Sequence, residues 1–498
     1  MSLRNKTSAL LLSAILIGSL VATFNAEAKS TTRPTGGRAI AHRGGKLVRG
    51  VTGLPTAKAS GLNHPAGEPT LGLTPGGDIF VATGAFSWYG PVGAGMTPDV
   101  MRSTDHGKTW EVTSPRVVDQ DANPPTSLDP YIFVDDVDGD NARIFTIDLT
   151  VACAYMSFSD DGGDSWISNP LACGRPINDH QTLFGGPPVS STPIGYPHVL
   201  YYCWNDVGSS SCSRSLDGGL SFTPTGQPAF FGYPPDEGTD GDLCGGLHGH
   251  GVVGADGTVY IPREYCGKPF LAISHDEGFS WERVQVAKMR KDDSVSGSDP
   301  SVAVDAKGNI YYVWIANKDR MPYLVVSKDG GKTWTDPVRV APPTVQESNI
   351  ATLTVGDPGK IAIAYYGSEN SAYQKCRVEG NKLYPCDAID YQKTLWNGYI
   401  TTTTGALGHD PLFMTGRINP LGTEDDPTPA LITQRCGPGR CGSVWDFIDV
   451  NIGPDGIPYA IYVDGCVLKE CKDKGSGPYD GHVHEGVMGM LVGGPRLR

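Results

Sequence analysis

Three of the eleven histidines sit in two short polar stretches, Asp179-His180-Gln181 and His248-Gly249-His250. Residues two apart on an extended strand face the same side, so His248 and His250 would present two imidazoles together. Imidazoles in that arrangement could serve as general bases, bind a metal, or bond nearby carboxylates. Arg263 and Glu264 in YIPREYC add a guanidinium and a carboxylate, and Asp299 and Asp446 add two further carboxylates. Together Asp179, His180, His248, His250, Arg263, Glu264, Asp299 and Asp446 form the candidate catalytic set. For any one of these aspartates the plain alternative is a turn cap. DDVDGDNAR (135–143) carries Asp136, Asp138 and Asp140 around Gly139. Alternating carboxylates suit a structural Ca²⁺, although no glutamate stands at the twelfth position of an EF-hand loop and an acidic β-turn is the favoured reading. No other cofactor is called for.

These residues need elements to bring them together, and the chain supplies them as repeats. An octet S-x-D-x-G-x-[ST]-[WF] begins at Ser103, Ser159, Ser215, Ser274 and Ser327, with steps of 56, 56, 59 and 53 residues. Between octets runs a second repeat, seen in SDPSVAVDAKGNIYYVW (298–314) and EPTLGLTPGGDIFVAT (68–83): strand, glycine turn, strand. Each unit therefore reads as four antiparallel strands, and a period near 50 signals stacked blades. The expectation is an all-β propeller of seven blades, with six as the alternative. The first strands start near Pro69, Pro130, Asp179, Gly249, Pro300, Ile350 and Phe447, and a strand near Val48–Leu54 is expected to close the ring. Residues 29–47 read as a flexible leader and 48–498 as the propeller. In each octet Asp accepts turn N–H groups and Gly permits positive φ. A five-fold active site is implausible, so the octets are structural. Chemistry is expected where the innermost strands begin, at Glu68, Asp129, Asp179, His248, Asp299, Asn349 and Asp446.

The 498 residues carry a formal charge of −14, which argues against nucleic acid or an anionic membrane surface as partner. Arg4 and Lys6, an apolar run from Ala9 to Val21, and Ala26-Glu27-Ala28 read as a signal peptide cut before Lys29. The protein is thus expected to be secreted or periplasmic, with no membrane span in the mature chain. The twelve cysteines agree with an oxidising compartment. In sequence order they fall into six close pairs: Cys153 with Cys173, Cys203 with Cys212, Cys244 with Cys266, Cys376 with Cys386, Cys436 with Cys441, and Cys466 with Cys471. A Cys441–Cys466 pairing is an alternative.

The octets resemble the Asp box of the sialidase-like (BNR repeat) β-propellers. FSWYGPVGAGMTPDVMRSTDHGKTW, NDHQTLFGG, CGGLHGHGVVGADGTVYIP and VWDFIDVNIGPDGIPYAIYVDGC further resemble exported bacterial proteins labelled exo-α-sialidases. The resemblance covers roughly residues 65–495. It implies a glycoside hydrolase acting on terminal acidic sugars, with an arginine triad for the sialate carboxylate, a Tyr–Glu nucleophile and an Asp acid/base. The place of the first arginine reads Glu68-Pro69, a departure from that pattern. Arg263 is the leading substitute, followed by Arg417, Arg435 and Arg440, and Tyr365 and Tyr366 are candidate phenols. Two other readings stand beside the hydrolase. One is a polysaccharide lyase using His, Tyr and Arg, and the other is a propeller that binds a glycan or protein without turnover.

Overall fold

The computed structural model describes residues 37–88, 94–115, 129–137, 139, 142–150, 153–171, 179–206, 208–232, 244–296, 299–369, 396–418, 434–436, 439–441, 447–464 and 485–498. Seven antiparallel sheets form the propeller blades. Their innermost strands are Thr70–Leu73, Tyr131–Asp136, Asp179–Gly186, Val252–Val253, Ser301–Val304, Glu347–Val355 and Asp449–Ile452. Each adjoins the next, and the seventh lies against the first, so the ring is closed. Side chains on these strands tie neighbours together. Thr70 Oγ1 accepts Ile132 N at 2.9 Å, Thr182 Oγ1 accepts Gly251 N at 3.4 Å, Ser301 Oγ accepts Leu353 N at 3.1 Å, and Asp449 Oδ2 accepts Leu71 N at 2.8 Å.

The second strands explain the packing. Val199–Asn205, Ile310–Ile315 and Ile361–Ser368 are buried at every position. Each is covered on both faces by adjacent blades, so it reads as a continuous apolar and aromatic run. Each aliphatic or aromatic side chain buried this way contributes about 1.5–3 kcal/mol relative to exposure.

The octets follow the third strands. All five show the same bonds. At Ser327 the hydroxyl donates to Asp329 Oδ1 at 2.8 Å and accepts Gly331 N at 2.9 Å, while Asp329 accepts Thr333 N and Thr333 Oγ1. The Ser159, Ser215 and Ser274 octets repeat this with serine in place of threonine. Ser103 pairs likewise with Asp105 and Gly107. Gly331 has φ +89, and a Cβ there would meet Ile273 Cδ1 at 2.8 Å, so both conformation and space demand glycine. Octets also join blades. Trp166 Nε1 donates to Thr113 O of the preceding blade, and Trp281 Nε1 to Gln227 O. Arg102 and Arg143 reach forward to the octet carbonyls of Gly162 and Gly218.

Two expectations about the N-terminal region change. The closing strand is Thr56–Pro65, paired with Glu485–Val492 as the outer strand of the seventh blade, rather than a strand at 48–54. The end of the 29–47 leader is held in the fold: Ile40–Arg43 pairs with the outer strand Phe413–Arg417 of the sixth blade. Two of the expected disulfides are present, Cys203–Cys212 and Cys244–Cys266. The other cysteine side chains and the signal-peptide residues lie outside the described residues. Among the described residues no helix is long and apolar enough to cross a membrane.

Candidate functional site

First and third strands of a blade run in the same direction. The octets follow third strands, so the starts of the first strands lie on the opposite face. Five blades bring side chains together there. His180 enters at a β-bulge between Asp179 and Thr182, in left-handed backbone with φ 51. That conformation is uncommon for residues other than Gly, with Asn, Asp and His the most tolerant of it, and it turns the ring off the regular pleat. His180 N donates to Asp129 Oδ2 of the second blade at 3.1 Å, and Gln181 Nε2 donates to Asp129 O at 2.6 Å. His180 Nε2 lies 2.6 Å from Asp299 Oδ2, which belongs to the fifth blade. The contact is an ion pair and not an aligned hydrogen bond. His180 is 5% exposed overall, whereas the Asp299 side chain is 23% exposed and opens onto the face.

His248 and His250, from the fourth blade, both pack on His180, with ring centroids 6.3 and 6.2 Å away. They precede the short strand Val252–Val253, and His248 forms a bridge with Arg263. Phe447 of the seventh blade covers His180 at 5.0 Å and His250 at 5.8 Å. The Tyr131 ring meets His250 edge-on at 4.5 Å.

The three imidazoles differ in charge. Burial disfavours an imidazolium at His180, but Asp299, with Asp129 and Asp179 behind it, raises its pKa to about 10. Burial lowers His248 to about 3, and the charges of His180 and Arg263 add to the effect. Burial, His180 and His248 lower His250 to about 3. One imidazolium is therefore flanked by two neutral rings. His248 Nδ1 contacts Gly249 O at 2.9 Å, an acceptor only, so Nδ1 carries the proton.

Arg263 is 1% exposed and bonded in the interior through both terminal nitrogens. Nη1 donates to Ser210 Oγ at 2.9 Å, and Nη2 to Gly208 O at 2.9 Å and Gly246 O at 3.0 Å. Burial lowers its pKa to about 10. Its role is to hold the chain beneath His248, whose backbone N bonds Asn205 Oδ1 at 3.2 Å. Glu264 follows on the same strand, and its Oε1 accepts Gly267 N. Burial raises the Glu264 pKa; the Gly267 N–H and Arg263 oppose the rise, and the Asp299 charge adds to it.

Asp446 and the side chains of Arg435 and Arg440 lie outside the described residues, as do Asp138 and Asp140. Asp136 Oδ1 accepts Gly139 N at 2.7 Å, the bond of an acidic turn. Among the described residues no group of three or more His, Cys, Asp or Glu is placed to hold a metal. Tyr365 and Tyr366 are buried packing residues. Glu68, in place of the family's arginine, is 7% exposed with φ 49.

Sequence reasoning missed Tyr131, Phe447 and Asp449. The first two read as ordinary strand aromatics. Asp449 takes the place that Thr70, Thr182 and Ser301 occupy in other blades, and burial raises its carboxyl to about 7. Lining up the blades by their glycine turns would have exposed this one acid among hydroxyls.

Fold and site together define a seven-bladed β-propeller with a histidine–carboxylate cluster where its inner strands begin. No family model matches the chain. Over 282 residues it is 27% identical to a xyloglucanase of a Paenibacillus species, covering 52% of this chain and 25% of that protein. The chain thus spans about a quarter of the length of the curated relative it matches. Among solved structures it is similar to a Hadza microbial sialidase (16% identity, 61% of this chain, 64% of that one, TM-score 0.40). It is also similar to a Penicillium chrysogenum α-L-arabinanase (13%, 78% and 100%, TM-score 0.38) and to a Dyadobacter fermentans protein of unknown function (13%, 86% and 95%, TM-score 0.37). Likenesses this weak carry no assignment of activity.

Proposed function

We propose that this protein is an exported carbohydrate-active enzyme of the glycoside hydrolase class, working where the inner strands begin. The carrying observation is the contrast between two acids on that face. Asp299 is paired with the His180 imidazolium, while burial and the Asp299 charge raise the proton affinity of Glu264. A carboxyl whose proton affinity is raised, on the same face as a carboxylate paired with an imidazolium, suits glycosidic cleavage. Glu264 would protonate the leaving oxygen, and Asp299 would act on the sugar or on water as the carboxylate. His180 would position Asp299, and Phe447 and Tyr131 would supply the apolar surface beside it. The match to a xyloglucanase supports a glycan substrate, and the two disulfides are compatible with export.

The finer version, an exo-sialidase for terminal acidic sugars, calls for guanidinium groups offered to a carboxylate. Arg263 is committed to Ser210, Gly208 and Gly246, so it lends that version no support. A neutral glycan is the preferred substrate. The test is to measure release of reducing ends from xyloglucan and arabinan, and of sialic acid from α-linked sialosides, by the full mature chain. Hydrolysis of a neutral glycan that falls roughly 10²–10⁴-fold in Asp299→Asn and Glu264→Gln is expected. Sialic acid release would restore the acidic-sugar version. Hydrolysis indifferent to both substitutions, or none on any substrate with a glycan still bound, would replace the reading by a binding propeller.

A further inference from the structure

A second polar recess lies between the first and second blades, lined in part by Pro130, which follows Asp129 of the histidine cluster. Its free space is small, about 10 Å³, and it is lined by Ala82, Asp99, Val100, Ser114, Thr146 and Asp148 among others. Its floor is apolar, continuous with Phe80, Ala82, Val100, Ile132 and Ile144. Ile144, Thr146 and Asp148 alternate along the strand Ala142–Thr150, so this face changes from apolar to polar toward the recess.

Asp99 is engaged: Oδ1 accepts Ser114 Oγ at 2.8 Å, and Oδ2 lies 3.2 Å from His64 Nε2. Asp148 is not. It is only 7% exposed, it lines the recess, and no hydrogen bond acts on its carboxyl; burial and the Asp99 charge are what bear on it. The 2% exposed Thr146 side chain lines the same wall. A buried carboxyl without a partner is costly, and a second carboxylate beside it adds to the cost. The free space takes about one water-sized occupant, so a single ion fits it and a sugar does not. Hard oxygens from two carboxylates and two hydroxyls are the kind of ligand that Ca²⁺ takes.

We propose that Asp148 and Asp99, with the hydroxyls of Thr146 and Ser114, bind a hard divalent cation of the Ca²⁺ type that clamps the first blade to the second. These ligands include neither Asp136 nor any residue of the proposed hydrolytic centre.

The test is calorimetric titration of Ca²⁺ into the full mature chain after chelator treatment, with thermal unfolding followed in parallel. Wild type is expected to bind Ca²⁺ and to unfold at a higher temperature when loaded. Asp148→Asn should weaken binding roughly tenfold or more and abolish the Ca²⁺-dependent rise, while Asp136→Asn leaves both intact. Asp99→Asn and Thr146→Val serve as second variants should Asp148→Asn fold poorly, and each should weaken binding. Absence of Ca²⁺ binding, or binding unchanged in the Asp148, Asp99 and Thr146 variants, overturns the proposal.

Discussion

His180 shows how position outweighs burial. Three carboxylates converge on a ring that burial alone would keep neutral, and the imidazolium prevails. The sign of its effect on stability follows. A pKa raised from 6.5 to about 10 means the pair stabilises the fold fully below about 6.5, and this contribution is lost as pH rises through about 10. Thermal unfolding midpoints should therefore fall between neutral pH and about pH 10, and Asp299→Asn should flatten that decline. A slope unchanged in the variant would show that His180 does not carry the charge. Asp179, His180, His248 and His250 were legible as a polar cluster because they stand at the starts of inner strands and bring histidines among the acids there. The pairing of His180 with Asp299 was not, because it joins the third blade to the fifth. Nor was the fate of Arg263, whose neighbours Ser210 and Gly208 lie more than fifty residues back in the chain.

The octet is the element that repeats most faithfully, and its serine is its buried centre. Ser327→Ala leaves the Gly331 N–H without its acceptor, and a loss of about 1–3 kcal/mol in a denaturant titration is expected. One octet does more than turn the chain. Glu277, from SHDEGFSW, is fully buried, and Oε1 accepts Val189 N at 2.9 Å, Ser190 N at 2.9 Å and Ser191 N at 3.0 Å. Its other oxygen meets Arg214 and the Ser191 hydroxyl. Burial would favour the protonated acid, but these donors hold its pKa below the usual value. Glu277→Ala strands Arg214 and three N–H groups, so a loss of about 3–5 kcal/mol is expected in the same titration. A loss no larger than that of an exposed octet residue would mean the staple between the third and fourth blades relaxes without it. The octet motif was legible because its bonds are all within eight residues. The staple was not, because Glu277 occupies a variable octet position and its partners lie in another blade.

At the scale of the whole molecule, the ring is closed by a strand from before the first blade. Thr56–Pro65 completes the seventh blade on Glu485–Val492. Its sequence, TAKASGLNHP, is made largely of small and polar residues, so the apolar alternation that marks inner strands is weak. That is why a strand at 48–54 was expected instead. Removing residues through 65 should expose the edge of Glu485–Val492 and abolish a single cooperative transition in scanning calorimetry. A chain that still begins at Thr56 should keep that transition at a lower midpoint. If both truncations unfold alike, closure does not depend on this strand.

The sequence by itself determined the octet turns and pointed to the favoured blade count, to close cysteine pairs of which Cys203–Cys212 and Cys244–Cys266 are present, and to the strand starts where polar residues gather. Each of these rests on spacing or on contacts within one blade. Only the tertiary structure decided which histidine is charged, that Arg263 serves the interior, that Asp99 and Asp148 share a recess, and which strand closes the ring. Those outcomes depend on burial and on charges brought from different blades, and neither exists until the ring has formed.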